Sequence, residues 1–448
     1  MMSRRSEIPF FRPSVGSAEV RELTRVIKSG WLTTGKLCQE FETEFADRIG
    51  AKHAIALNSC TAALHLALKA IGLEQGDLVL VPTMTFAATA EVVQHLGAVP
   101  VLIDCEPRTL CIDPEAVRWT LDCLRDGEGV PGLRAARGRK TRRKGSRQHT
   151  PNRKDAPAAP CYRSGFETPF GTVRAIIPVH YGGQMADMGA LRTLAEERGL
   201  YLVEDAAHAF PAAYRENESA PWLSVGTTGD ITCFSFYANK TITTGEGGMA
   251  VTDRDEWAAT IRLLSLHGIS HDAWNRYSLE GSWYYEILAP GYKYNLTDIS
   301  AAIGIHQLRR ADSFARRRQR VAERYRQLLE GTSEIELPTV LPDRKHSWHL
   351  FVIRLRLDRL RKSRAEFING MRARGIGTSV HWMPLHMHPY YRETFALRPD
   401  DFPVARAEYE RIVSLPIYPS LSNEEIRRVV SGIKELISGK GVAVGGAG

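Results

Sequence analysis

One lysine stands at the end of an apolar run and at the head of a glycine-rich turn, in Phe234-Ser235-Phe236-Tyr237-Ala238-Asn239-Lys240-Thr241-Ile242-Thr243-Thr244-Gly245-Glu246-Gly247-Gly248. The β-rich segment Ile231 to Phe236 predicts a strand that carries Lys240 out at its end. Met249-Ala250-Val251-Thr252 predicts the next strand after a Gly-Glu-Gly-Gly reversal. An amine delivered into a cleft is partly removed from water, which lowers its pKa and frees it to attack a carbonyl and form a Schiff base. Pyridoxal phosphate (PLP) is the carbonyl that fits this chemistry. A lysine beside a glycine turn is ordinarily solvated, so the assignment needs partners: an acid for the pyridine nitrogen, donors for the phosphate and a flat group over the ring.

The acid is found in Leu200-Tyr201-Leu202-Val203-Glu204-Asp205-Ala206-Ala207-His208-Ala209, where an apolar strand ends on two carboxylates. Asp205 is the better choice, one step further past the strand, where open α/β sheets place their ligand groups. Its alternative role is to cap a following turn. His208 could reach the cofactor's phenolic oxygen or be an ordinary core histidine. Phosphate donors come from His53-Ala54-Ile55-Ala56-Leu57 leading into Asn58-Ser59-Cys60-Thr61-Ala62-Ala63-Leu64, a strand, a polar turn and a helix start. First-turn amides are unpaired and the helix dipole favours an anion, with the Ser59 and Thr61 hydroxyls beside them. Ser235, on the lysine's own strand, adds another donor. Phe86, in Pro82-Thr83-Met84-Thr85-Phe86-Ala87-Ala88-Thr89, supplies either the flat group or core packing.

Holding such groups together calls for an α/β fold. At 448 residues, 43% of them hydrophobic, the chain is long for one core and rich enough to bury two. Strand and helix signals alternate from Gly30 to Ser265 as in a large doubly wound sheet domain, read here as residues 1–265 with an N-terminal arm. Residues 266–440 read as a smaller C-terminal α/β domain and 441–448 as a flexible tail. The smaller domain is predicted to hold an arginine-rich helix around Ala311 to Leu329, a strand His349 to Leu357, and helices near Ser363 to Arg374 and Asn423 to Ile437.

These motifs resemble the DegT/DnrJ/EryC1/StrS family of PLP-dependent sugar aminotransferases, a branch of the aspartate aminotransferase fold (PLP-dependent transferase fold type I). The resemblance also runs through Phe10-Phe11-Arg12-Pro13-Ser14, Gly30-Trp31-Leu32-Thr33-Thr34-Gly35, Gly291-Tyr292-Lys293-Tyr294-Asn295-Leu296-Thr297-Asp298 and Ser414-Leu415-Pro416-Ile417-Tyr418-Pro419. It implies Lys240 as the Schiff-base lysine, Asp205 as the pyridine partner, Thr61, Ala62 and Ser235 at the phosphate, and Phe86 on the ring face. It implies a homodimer with shared active sites, Asn295 reaching the neighbouring subunit's cofactor phosphate, and Thr33 and His381 as substrate contacts. Some relatives replace the lysine by histidine and act as sugar dehydratases, so Lys240 argues for transamination. Where many relatives carry glutamine this chain has His208, a variant that also occurs among members similar to the 4-amino-4-deoxyarabinose aminotransferases. The stretch from Gly375 to His381, with Pro384 to Tyr391, looks most like members acting on UDP-linked 4-keto sugars; a dTDP-linked 3-keto or 4-keto sugar is second. Glutamate is the expected amino donor.

The net charge of +8 is concentrated. Residues 124 to 165 hold 12 Lys/Arg against 3 Asp/Glu, leaving the rest of the chain at −1. Arg134 to Lys154 has no Phe, Trp or Tyr, so 124–170 is expected to be a flexible basic insertion rather than a packed element. Clustered cations could neutralise a nucleic acid backbone, but no aromatics are interleaved for base stacking. That leaves, as an alternative, a cofactor-binding regulatory or scaffold protein that uses the insertion to bind nucleic acid. Seven cysteines (Cys38, Cys60, Cys105, Cys111, Cys123, Cys161, Cys233) form no CxxC pair and are expected to be reduced thiols. His381, His386 and His388 lack a nearby cysteine or spaced carboxylate, so no metal is expected there. The charged N-terminus and the absence of a spanning apolar run lead to an expectation of a cytoplasmic protein without membrane contact.

Overall fold

The computed structural model describes residues 7–133, 165–269 and 284–438. Two helices, α1 (Ser17–Ser29) and α2 (Lys36–Ile49), lead into β1 (His53–Leu57). There follow α3 (Cys60–Ala70), β2 (Leu78–Pro82), α4 (Ala88–His95), β3 (Val99–Ile103) and α5 (Pro114–Arg125). After the basic stretch come β4 (Phe166–Thr168), β5 (Gly171–Ile176), α6 (Met188–Arg198) and β6 (Tyr201–Asp205). Short β7 (Ala213–Tyr214) and β8 (Leu223–Ser224) precede β9 (Ile231–Ser235), β10 (Gly248–Thr252) and α7 (Asp255–Ser265).

The main sheet has eight strands in the order β1-β10-β9-β6-β5-β2-β3, with β4 paired to β5. From β9 to β3 the neighbours are parallel, whereas β10 runs antiparallel to both β1 and β9. Parallel strands covered on both faces must be apolar throughout. Accordingly, every residue of β2, Leu-Val-Leu-Val-Pro, is buried. The antiparallel return of β10 follows from the turn after Lys240: Gly245 sits at φ 83°, a left-handed conformation that glycine adopts freely.

The rest of the chain comprises α8 (Asp298–Arg309), α9 (Ala311–Leu329), β11 (Ile335–Glu336), β12 (Arg344–Lys345), β13 (Phe351–Leu355), α10 (Arg364–Ala373), α11 (Pro389–Thr394), α12 (Pro403–Arg411), β14 (Ile412–Leu415) and α13 (Asn423–Ile437). Its sheet is β11-β13-β14, while β12 joins β7 and β8 in a separate small sheet. Serine caps with glutamate three positions on set the starts of α10 and α13, each a reciprocal capping box.

The two hydrophobic cores do not divide at residue 265. Ala311 and Phe314 at the start of α9 belong to the first core, and Val321, Ala322, Tyr325 and Leu329 to the second. β13 likewise alternates, with Val352 in the first core and Phe351, Ile353 and Leu355 in the second, as the period of two requires. Ile8, expected in an arm of the large domain, is buried in the second core and bridges to Ile376. Midway along α9 the buried Arg318 donates to the carbonyls of Trp348, His349 and Ile417, pinning the chain where the cores meet. The edges of the basic stretch are ordered: Arg125 closes α5, and β4 pairs with β5. Residues 134–164, with Cys161, and the tail 441–448 lie outside the described residues. Among the described residues no helix is long and apolar enough to cross a membrane.

Candidate active site

The C-terminal ends of β6 and β9, the turn after β2 and the start of α3 open onto one cavity of about 510 Å³. Open α/β sheets gather ligand groups at this edge. Eight of the residues singled out from sequence line it: Ser59, Thr61, Phe86, Asp205, His208, Ser235, Lys240 and His381. Burial pulls the Lys240 ammonium down from 10.5 to about 8, against the opposing pull of Cys60 and Asp205. At neutral pH a usable share of it is the free amine.

Asp205 is 6% exposed. Burial pushes its carboxyl above 3.8, while the Thr89 hydroxyl at 2.8 Å, the Ala207 N–H at 3.1 Å and nearby Lys240 pull the other way. Glu204, one residue earlier, faces into the protein. It accepts from Thr228 and Thr232 and lies 2.7 Å from His180 Nε2, so it is a structural group. Strand β6 runs on through both carboxylates because Glu204 pairs with Thr232 and Asp205 with Cys233 of β9, so the acid ends the strand rather than following it.

At the start of α3 the Ser59 hydroxyl accepts from Ala62 N–H at 3.1 Å. That leaves the Cys60 and Thr61 amides at the open end of the helix. Ala62 itself does not line the cavity, in contrast to the expectation of a direct phosphate contact. Gly248 closes the cradle from below: a Cβ there would run into the backbone of Ser59 and Cys60. Phe86 is 61% exposed at the cavity mouth, between β2 and α4, which excludes the core-packing reading. His208 is buried, stacked on Trp382 (4.9 Å, 25°) and tilted against His349 (4.1 Å, 44°). Burial, with Lys240 adding, holds it well below 6.5 as a neutral ring, and its buried Nδ1 has no partner among the described residues.

Two expected residues lie elsewhere in the chain. Asn295 donates to Thr34 Oγ1 at 2.6 Å, accepts from Lys293 Nζ at 2.6 Å, and borders a second cavity with Trp31, Thr34 and Asp298. It does not cap α8, since Thr297 does so through Ser300 N–H. Thr33 is exposed, and its carbonyl accepts from Asp298 N–H. The three C-terminal histidines have separate partners: His381 with Ser414, His386 with Thr83 and His388 with the Met383 carbonyl.

Cys60, Tyr237, Glu246 and Trp382 also line the cavity, and Thr89 supports Asp205. Sequence reasoning assigned none of them a role. Thr89 lies one helical turn from Phe86 and Trp382 directly follows His381, so adjacency to a candidate was the available signal.

These residues fit PLP. The free amine, the buried acid with acceptor capacity to spare and the open helix start in a glycine-floored cradle are what the cofactor's aldehyde, pyridine and phosphate require, with the His208 ring in the same cavity wall. The fold and the site together define a PLP-dependent enzyme of fold type I. Residues 13–122 and 168–434 match the DegT/DnrJ/EryC1/StrS aminotransferase family, and the chain belongs to it. The family's enzymes are PLP-dependent sugar aminotransferases.

Among relatives, MJ1066 of Methanocaldococcus jannaschii is 42% identical over 437 residues, covering 98% of this chain and 99% of that protein. The spore coat polysaccharide biosynthesis protein SpsC of Bacillus subtilis is 40% identical over 441 residues, covering 98% and 100%. Among solved structures, the PLP form of Spr1654 from Streptococcus pneumoniae superposes with a TM-score of 0.77 at 27% identity, covering 97% and 99%. DesV of S. venezuelae gives 0.76 at 30%, covering 96% and 98%.

Proposed function

We propose that this protein transfers an amino group from glutamate to the 4-keto group of a UDP-linked sugar, as a homodimer serving surface polysaccharide or amino-sugar biosynthesis. The observation that carries the reading is the convergence of a deprotonatable Lys240 and a buried Asp205 on one cavity. The name of the relative SpsC supports a polysaccharide setting.

When bound, PLP supplies an electron sink for charge developing on the carbon that bears the amino group. Lys240 Nζ, brought by burial to a pKa of about 8 so that a share of it is the free amine at neutral pH, is the group that would take a proton from that carbon and return it as general acid and base. Asp205, held by Thr89 and the Ala207 amide, is the group that would keep the pyridine nitrogen protonated. Ser235, the Thr61 hydroxyl and the first amides of α3 would bind the phosphate, and His208 the phenolic oxygen. Amino donor and sugar use the same groups in turn, so the kinetics are ping-pong.

Incubating the pyridoxamine phosphate form with a panel of nucleotide-linked keto sugars tests the assignment. Mass spectrometry should show an amine on the UDP-linked 4-keto sugar; an amine only on a dTDP-linked or 3-keto sugar would replace the substrate. Asn295 is read as reaching the partner's site, so mixing Lys240→Ala with Asn295→Ala protomers should restore activity in the mixed dimers. No recovery after confirmed subunit exchange would confine Asn295 to its own protomer.

A further inference from the structure

We propose that Ser414 is a positioning residue that fixes His381 in the tautomer with its proton on Nε2, so that the cavity presents a neutral N–H donor to an acceptor oxygen of the sugar. What is bound rests on the sugar-aminotransferase reading above; the choice between the two neutral tautomers rests on geometry.

His381 forms part of the cavity wall. Its ring is stacked on Phe10 at 5.4 Å and 26°, and its main-chain carbonyl accepts from the Tyr181 hydroxyl. The ring is thereby held in one orientation, with Nδ1 2.8 Å from Ser414 Oγ. Ser414 lies in β14 and is fully buried, at 0% exposure. Its backbone is fully used: Ser414 N–H donates to the Ser379 carbonyl at 2.8 Å and its carbonyl accepts from Ser379 N–H at 3.1 Å. Only the hydroxyl remains, and among the described residues its one partner is His381 Nδ1.

A neutral imidazole has one N–H and one bare nitrogen, whereas a hydroxyl has one hydrogen and two lone pairs. If Nδ1 carried the proton and donated to Ser414, the serine hydrogen would be buried without an acceptor, and an orphaned buried donor keeps its full desolvation cost. If Ser414 donates to a bare Nδ1, every group at the contact is satisfied and the ring proton sits on Nε2. A doubly protonated ring is excluded near neutral pH, since burial and then Lys240 hold His381 at about 4. Nε2 has no protein partner among the described residues and is not among the buried unpartnered atoms, so it opens to the cavity.

An N–H fixed in this way pairs with a keto or hydroxyl oxygen. It cannot pair with the ammonium of an aminated sugar, which has no acceptor. Where that oxygen is the reacting keto group, the contact favours keto substrate over amine product, because a site built around one hydrogen bond discriminates against a ligand that cannot make it.

The tautomer is read directly from a long-range ¹H–¹⁵N spectrum of the protein labelled in histidine, with the His381 signal assigned by its loss in His381→Gln. The expected result is a proton on Nε2, and a mixture of tautomers in Ser414→Ala. A proton on Nδ1 in the wild-type protein overturns the proposal. This readout needs no turnover, so it is separate from failure of the functional reading, which would appear as no amine on any keto sugar.

Kinetics give the second arm. Ser414→Ala should slow the sugar half-reaction about tenfold relative to the amino-donor half-reaction, the scale of one neutral hydrogen bond. His381→Gln places an amide N–H near the Nε2 position and has no tautomer to set, so adding Ser414→Ala to it should cost less than about twofold. If the full effect persists in the His381→Gln background, or both half-reactions fall together, Ser414 is a packing residue and the proposal fails.

Discussion

Glu204 and Asp205 are adjacent on β6 and both are buried, yet their surroundings are opposite. Burial pushes the Glu204 carboxyl up, but the hydrogen bonds to His180, Thr228 and Thr232 outweigh it and hold it below 4.5. For Asp205 burial wins, because among the described residues only Thr89 and one backbone amide donate to it, and it also lines the cavity. One carboxylate has been given all its donors by the fold, while the other has acceptor capacity left for a ligand. A buried polar group is normally satisfied within the protein, so an incompletely satisfied one beside a buried amine marks where chemistry is done.

The comparison can be broken by removing each group in turn. Lys240→Ala should lower turnover by at least about 10⁴-fold, because the proton-transferring amine is gone. It should also abolish the visible absorption that PLP acquires on binding. Retention of both would remove Lys240 from the mechanism. Asp205→Asn should cost on the order of 10² to 10³ in turnover, the scale of a preorganised electrostatic contact. In the cofactor-free protein it should leave stability unchanged or raised. The sign follows from linkage: a carboxyl whose folded pKa lies above 3.8 is destabilising in its charged form, and that cost is complete at neutral pH. A lower melting temperature in cofactor-free Asp205→Asn would place the residue with Glu204 as a structural group.

Glu204→Gln sharpens the contrast from the other side. Urea unfolding should show a loss of about 2 to 4 kcal/mol, from a disrupted buried network, with turnover per folded molecule within about threefold of wild type. Because the folded pKa of Glu204 is lowered, its contribution is fully present above 4.5 and disappears as the pH falls through the folded value. Wild-type stability falls faster than that of Glu204→Gln over this range. Parallel acid-denaturation curves would show that Glu204 is not held below its ordinary value.

Much of this contrast was visible in the sequence, since Lys240, Asp205, Thr61 and Phe86 each sit where an apolar run meets a polar turn, and strand ends in an α/β sheet converge. The prediction of α9 over Ala311–Leu329 and α13 over Asn423–Ile437 matches the structure for the same local reason, a strong 3.6-residue pattern, and α13 adds a serine cap. Contacts made by distant segments were not legible. Trp382 meets His208, and Ser414 meets His381, only once the C-terminal unit folds back over the sheet, and no periodicity encodes that closure. The core boundary was missed for a related reason: α9 is amphipathic along its whole length and serves the first core at one end and the second at the other. The two-residue strands β7, β8, β11 and β12 are too short to leave a pattern.

The central claim is that burial makes Lys240 a free amine poised to capture PLP. The most direct test is the rate at which cofactor-free protein acquires the visible absorption of bound PLP, measured as a function of pH. The rate should rise through a single limb at about 8 and level off above it, and the limb should vanish in Lys240→Ala. A limb at the ordinary lysine value of 10.5, or an unchanged profile in Lys240→Ala, would contradict the account.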